Sequence, residues 1–189
     1  MLRILMIVPE DIIDISREVA SSHRYNDIHI QVEQASMNTG YEIAKEYEKR
    51  GFNAIIARGG THILLKKSDI SIPVVPIPIH VIDVFEAIEK ALIIDDSIAI
   101  LAFNNMVVPS ESLMRISGVN YKLISINHEE EVETVLRDLS FSGTKVIIGG
   151  GVISKFTSKY GMYPVVMRSS KESILSAIEE SRRVAKATL

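Results

Sequence analysis

The sequence contains no cysteine. That excludes disulfides, thiolate nucleophiles and cysteine-ligated metal, and it agrees with a reducing compartment. Charge of one sign is also scarce: 21 Lys and Arg against 24 Asp and Glu leave a net charge of −3 with no basic stripe, so direct nucleic-acid binding by this chain is not expected. Long apolar runs are missing. The first, residues 4–8, is stopped by Pro9-Glu10-Asp11, too soon for a signal peptide or a membrane span, and the chain reads as cytoplasmic with no membrane partner. No Walker loop, G-x-G-x-x-G fingerprint or G-x-S-x-G elbow occurs. The histidines His23, His29, His62, His80 and His128 show neither H-x-x-x-H nor H-E-x-x-H spacing, so no metal and no cofactor is expected. His23, His29 and His128 read as surface or capping residues. The paired carboxylates Asp95-Asp96 and Glu129-Glu130-Glu131 fall at an interlobe turn and a helix start, where negative charge has a structural reason.

What is present centres on Ala54-Ile55-Ile56-Ala57-Arg58-Gly59-Gly60-Thr61. The aliphatic run suits a strand buried on both faces, and the glycines let the backbone turn sharply and let a ligand approach. Thr61 is expected to be the N-cap of a helix over residues 62–67. A helix start beside Arg58 suits an anion such as a carboxylate or phosphate, and Arg58 is the expected main anion contact. The structural alternative is that Arg58 pairs with Glu10 or Asp83 and the glycines serve geometry alone. His62 and His80 follow strands of the expected cleft, where each can donate to an anion or play no part.

Ninety-one residues later Lys145-Val146-Ile147-Ile148-Gly149-Gly150-Gly151 repeats the pattern, and Pro73-Val74-Val75 matches Pro164-Val165-Val166 at the same offset. Ala87-Ile88-Glu89 likewise matches Ala177-Ile178-Glu179 after one residue of slip. A period near ninety residues marks two lobes of one kind rather than a solenoid.

Between these landmarks apolar runs alternate with helical stripes. Strands are expected at residues 2–8, 28–32, from 53, at 72–79, 98–103, 121–126, 145–149 and 164–167. The prolines at 73, 76 and 78 place the fourth at an edge, or pair it only over Val74 and Val75. Helices are expected over 10–22, from 38 or 39 to Gly51, over 81–94 with apolar residues on two sides, over 109–116, after a capping box at Asn127-His128-Glu129-Glu130, over 153–160, and from the cap Ser169-Ser170-Lys171-Glu172 to the chain end. The pattern implies an α/β fold with two parallel α/β sheets of four strands each, one in each of the duplicated lobes. The lobes divide as residues 1–81 completed by the terminal helix 171–189, a crossover helix 82–95, and residues 96–170. Ligands of such sheets bind outside the carboxyl ends of the strands. The expected cleft is therefore lined by Arg58, Gly59, Gly60, Thr61, His62, His80, Asn104, Asn105, Gly149, Gly150 and Gly151.

The run Ala57-Arg58-Gly59-Gly60-Thr61, followed by Ile72-Pro73-Val74-Val75, Asp83 and a helix ending near Ala91, resembles the N-terminal sensor domain of the propionate-catabolism activator family, which precedes the AAA+ module of sigma-54-dependent, NtrC-class regulators. The resemblance covers essentially the whole chain. It implies a duplicated chelatase-like, Rossmann-like fold of two three-layer α/β/α lobes, each with a four-stranded parallel sheet, together with a small carboxylate effector, and output ATPase and DNA-binding domains as partners; no catalytic residue is implied. The chain departs from the family pattern at Ala57, at His62 and at His80-Val81-Ile82, three positions of the expected pocket. Assembly into a homo-oligomer is compatible with the sequence. The competing reading is a two-lobe enzyme such as a tetrapyrrole chelatase or synthase, for which His80 with Glu10 is the candidate pair, since this architecture also hosts such chemistry.

Overall fold

Among the described residues the apolar runs fold as eight strands separated by helices. The computed structural model describes residues 1–22, 24–106 and 110–189. The expected surface position of His23 and the expected helix start at Pro109 lie outside the described residues. The order is β1 (Leu2–Val8), a 3-10 turn (Glu10–Ile12), α1 (Ile13–Ser22), β2 (Ile28–Gln34), α2 (Met37–Lys49), β3 (Ala54–Ala57), α3 (Gly59–Lys67), β4 (Val74–Pro76) and α4 (Val81–Ile94). There follow β5 (Ile98–Phe103), a 3-10 turn (Asn104–Met106), α5 (Ser110–Ser117), β6 (Lys122–Ile126), α6 (Glu131–Phe141), β7 (Val146–Gly149), α7 (Gly151–Thr157), a 3-10 turn (Ser158–Tyr160), β8 (Tyr163–Val166) and α8 (Lys171–Ala187). The chain divides into two compact units, Met1–Pro78 with Ser169–Leu189, and Ile79–Arg168.

In the first unit the sheet order is β2-β1-β3-β4, all parallel. Alternation along β1 sends Ile4, Met6 and Val8 into one core with Ile12, Ile13 and Val19, and Leu5 and Ile7 into another with Ala44, Tyr47 and Leu65. Both faces of the strand are therefore buried, as a parallel sheet flanked by helices requires. The prolines keep β4 at an edge, yet it pairs over Val74, Val75 and Pro76, one residue further than the sequence suggested. Helix α8 lays Ile174, Ala177, Ile178 and Ala185 into the β1 core. Burial of a large aliphatic side chain is worth about 1.5–3 kcal/mol, so the apolar face supplies the attachment. Around it Lys171 pairs with Glu18, Tyr25 donates to Glu179 at 3.1 Å, and Arg182 forks onto Asp27 through two bonds of 2.8 Å. Those bonds, with Lys186, hold the Asp27 carboxyl well below the usual carboxylate range.

In the second unit the order is β6-β5-β7-β8, again all parallel. Val84, Ala87, Ile88 and Ala91 of α4 pack with Ile98, Ile100, Val146 and Ile148. The apolar character of α4 on two sides suggested a helix covered on both; one face is buried, while Val81, Ile82, Leu92, Ile93 and Ile94 are exposed. The capping expected over residues 127–130 is also corrected. The backbone N–H groups of Asn127 and His128 both donate to Oε1 of Glu131 at 2.8 Å, and α6 begins at Glu131, after the whole four-residue pattern rather than inside it. At α8 the expected cap is observed, with Ser170 Oγ accepting from Ser173 N–H.

Candidate ligand-binding site

In the first unit β1 leads through α1 to β2 on one side, whereas β3 leads through α3 to β4 on the other. Strand order thus reverses between β1 and β3, the place where open α/β sheets hold ligands beyond their carboxyl ends. Two residues meet there. Arg58, the N-cap residue of α3, donates through Nη1 to Oδ2 of Asp11 at 3.0 Å, with 3% and 12% of the two side chains exposed.

Among the carboxylates of its own unit the partner is Asp11, not Glu10. After β1 the 3-10 turn directs Glu10 outward and turns Asp11 toward β3, with Ile12 buried just beyond it. Asp83, in the second unit, accepts from the His80 N–H at 2.9 Å and caps α4.

Thr61 is not the N-cap. The helix starts three residues earlier than expected, at Gly59, because Gly59 takes φ +51° and lets the turn close directly onto the strand end. Thr61 is buried, and its hydroxyl accepts from the Met37 N–H, the first residue of α2, at 2.8 Å. Met37 has φ +51°, the left-handed region, and is the one non-glycine residue there among those described. Such a conformation costs about 1–3 kcal/mol and persists where the surroundings enforce it. Gly40, one turn on, would place a Cβ 2.9 Å from the Thr61 methyl, so α2 approaches α3 as closely as a glycine allows. The N-termini of two helices are thereby tied together beside Arg58. Each carries N–H groups without intrahelical acceptors and a positive dipole end, a setting that favours an anion.

His62 stands on α3 next to Thr61 and its ring hydrogen-bonds the Val74 backbone. Burial pushes its pKa below the usual histidine value, and Lys66 adds to the effect.

The second unit repeats the strand reversal between β5 and β7, with different chemistry at the ends. Asn104 is exposed and donates to the Asn127 side chain at the end of β6, and Asn105 is half-buried. Gly149 ends β7 where a Cβ would lie 2.9 Å from Ile153 Cγ2 and 3.0 Å from the Leu101 carbonyl. Its lack of a side chain is a packing requirement. At Gly150, the N-cap residue of α7, a Cβ would meet nothing within 4 Å, and Gly151 opens the helix.

Sequence reasoning missed Asp11, Met37 and Asn127. A signal existed for Asp11, since it follows a buried strand by three residues and one tight turn brings it inward; none existed for Met37. Among the described residues no group of three or more His, Asp and Glu side chains is placed to hold a metal ion, and no helix is long and apolar enough to cross a membrane.

The sequence model of the propionate catabolism activator family matches residues 24–189. The structure is similar to that of an NtrC family transcriptional regulator from Clostridium acetobutylicum, with a TM-score of 0.86 and 24% identity over 100% of this chain and 98% of that one. It is more distantly similar to a conserved domain protein from Vibrio cholerae, with a TM-score of 0.46 and 10% identity over 99% and 84% of the two chains.

Proposed function

The chain belongs to the propionate catabolism activator family, in its N-terminal regulatory part, and on that premise we propose that it is the effector-sensing domain of an NtrC-class, sigma-54-dependent regulator. It binds a small carboxylate at the carboxyl ends of its strands and relays occupancy to ATPase and DNA-binding output domains. The observation that supports this reading is the meeting of Arg58 with two helix N-termini joined through Thr61 and Met37 at the strand reversal of the first unit. A guanidinium can hold a carboxylate through two parallel bonds, and neighbouring N–H groups reinforce the same anion. A charge-assisted contact of this type contributes about 1.5–3 kcal/mol. Gly59, Gly60 and His62 belong to the proposed binding residues of the first unit; in the second unit Gly150 and Gly151, with Asn104 and Asn105, stand at the corresponding strand ends. Gly149 is withdrawn from that set, because packing alone accounts for it.

A thermal-unfolding screen of small di- and tricarboxylates tests the reading, since a ligand of the folded state alone raises the melting temperature, and does so increasingly with the ratio of its concentration to Kd. At least one such acid is expected to do so, with Arg58→Lys weakening it by about tenfold or more. A screen in which no di- or tricarboxylate shifts unfolding would remove the carboxylate from the proposal.

A further inference from the structure

The contact that fills the strand reversal of the first unit is made by the chain itself. Arg58 spends its Nη1 bond on a carboxylate three residues past β1, which is the chemistry proposed for the effector. Asp11 is held incompletely for a buried acid: its Oδ1 has no hydrogen-bond partner among the described residues. An ionised carboxylate accepts at both oxygens, and buried ones are ordinarily satisfied at both. The chain shows what a fully held carboxylate is like at Asp27, where Oδ1 takes a bond from Arg182 and Oδ2 takes bonds from Arg182 and Lys186. Asp11 is therefore placed by its tether more than by its bonds. That tether is a turn of three residues whose next members, Ile12 and Ile13, are buried in the core, so exchange at Arg58 requires the Asp11 side chain to rotate away while the turn that carries it stays anchored.

We infer that Asp11 is a tethered competitor of the effector, occupying Arg58 in the ligand-free domain and giving way to an incoming carboxylate. The inference rests on the proposed anion-binding role of Arg58. It makes Asp11 a specificity-determining residue. A tethered group acts at an effective concentration in the millimolar range or above, so a lone carboxylate exchanges one for one and gains little. An acid with two or three carboxylates replaces Asp11 with one and uses the others on the adjoining helix N-termini. The site thus selects polycarboxylates over monocarboxylates by an internal threshold.

Calorimetry and thermal unfolding with citrate and with acetate, on the 189-residue chain, test this in wild type, Asp11→Asn and Glu10→Gln. Asp11→Asn is expected to lower the melting temperature of the free chain, to bind citrate at least about tenfold more tightly than wild type, and to become measurably stabilised by acetate. Glu10→Gln removes an equal charge from the exposed neighbour and is expected to leave citrate affinity unchanged. Citrate affinity in Asp11→Asn equal to or below wild type overturns the competition, and an equal gain in Glu10→Gln does so by assigning it to net charge. If wild type and Asp11→Asn bind citrate alike, the sensing function stands and the competition falls. If neither binds citrate, the competition falls together with citrate as a member of the ligand class. Should Asp11→Asn fail to fold, Asp11→Ser is prepared under the same conditions: recovery of either variant by citrate supports the competition, and failure of citrate to recover either overturns it.

Discussion

The Arg58 guanidinium lies 3.0 Å from the Asp11 carboxylate and ties the carboxyl end of β3 to that of β1 at the strand reversal of the first unit. Both side chains are largely out of solvent. Removing one member of such a pair leaves an uncompensated buried charge, at a cost of about 3–5 kcal/mol. Arg58→Met and Asp11→Leu are each expected to destabilise the domain by roughly that amount, and the double variant by much less than the combined effect of the two. Urea unfolding of the four proteins gives the comparison. Additive single and double effects would show that the two residues are not energetically coupled.

His62 supplies a pH dependence whose sign follows from its environment. Burial, then Lys66, lowers its pKa from the ordinary 6.5, so the folded domain resists protonation where the unfolded chain accepts it. Above about pH 6.5 both states are neutral and the full stability is present. As pH falls below that value the unfolded chain takes up the proton first, and stability declines. His62→Gln is expected to flatten the melting temperature against pH below 6.5 relative to wild type. An unchanged slope there would mean that another group carries the dependence.

Gly149 and Gly150 differ in what a single added methyl group would meet. Gly149→Ala forces a Cβ against Ile153 and the Leu101 carbonyl, an overpacking expected to cost about 1–3 kcal/mol in denaturant unfolding. Gly150→Ala meets open space, with a φ of −74° that alanine adopts readily. Its stability is expected to stay within about 1 kcal/mol of wild type, because reduced chain entropy offsets a poorer N-cap. Equal losses at both positions would contradict the assignment.

Asp27 holds the far end of α8 through Arg182 and Lys186. Its folded pKa is depressed, so its contribution is present above the unfolded value near 3.9 and is lost as pH falls further, through the folded value. Asp27→Asn is expected to lower the melting temperature at pH 7, with a difference from wild type that narrows below about pH 4. A difference constant across that range would assign the effect to something other than the carboxylate charge.

Much of the architecture follows from local pattern. The run Ala54-Ile55-Ile56-Ala57 has no polar face, and a strand with no polar face needs cover on both sides; parallel pairing with crossover helices supplies it, here and in the copy at Val146–Gly149. Prolines at 73, 76 and 78 cannot donate to a ladder on both sides, and β4 is accordingly an edge. Gly51 takes φ +78° just after α2, as a residue past a helix end commonly does.

The site was less legible because its contacts join residues distant in the chain. Arg58 and its glycines were visible as a loop chemically suited to an anion, but its partner lies 47 positions away, and the course of one 3-10 turn decides between Glu10 and Asp11. Thr61 looked like a cap because threonine often caps the residues that follow it. Its hydroxyl serves a helix that begins 24 residues earlier in the chain, at a methionine in a conformation no propensity anticipates. The glycines at 149 and 150 are identical letters with opposite environments, one pressed against a carbonyl and the other open. The sequence by itself determined which segments must be buried and how they must connect, since apolar periodicity and proline chemistry act within a few residues. Which side chains face one another at the strand ends was decided by tertiary structure alone, because that depends on how closely packed elements approach in space.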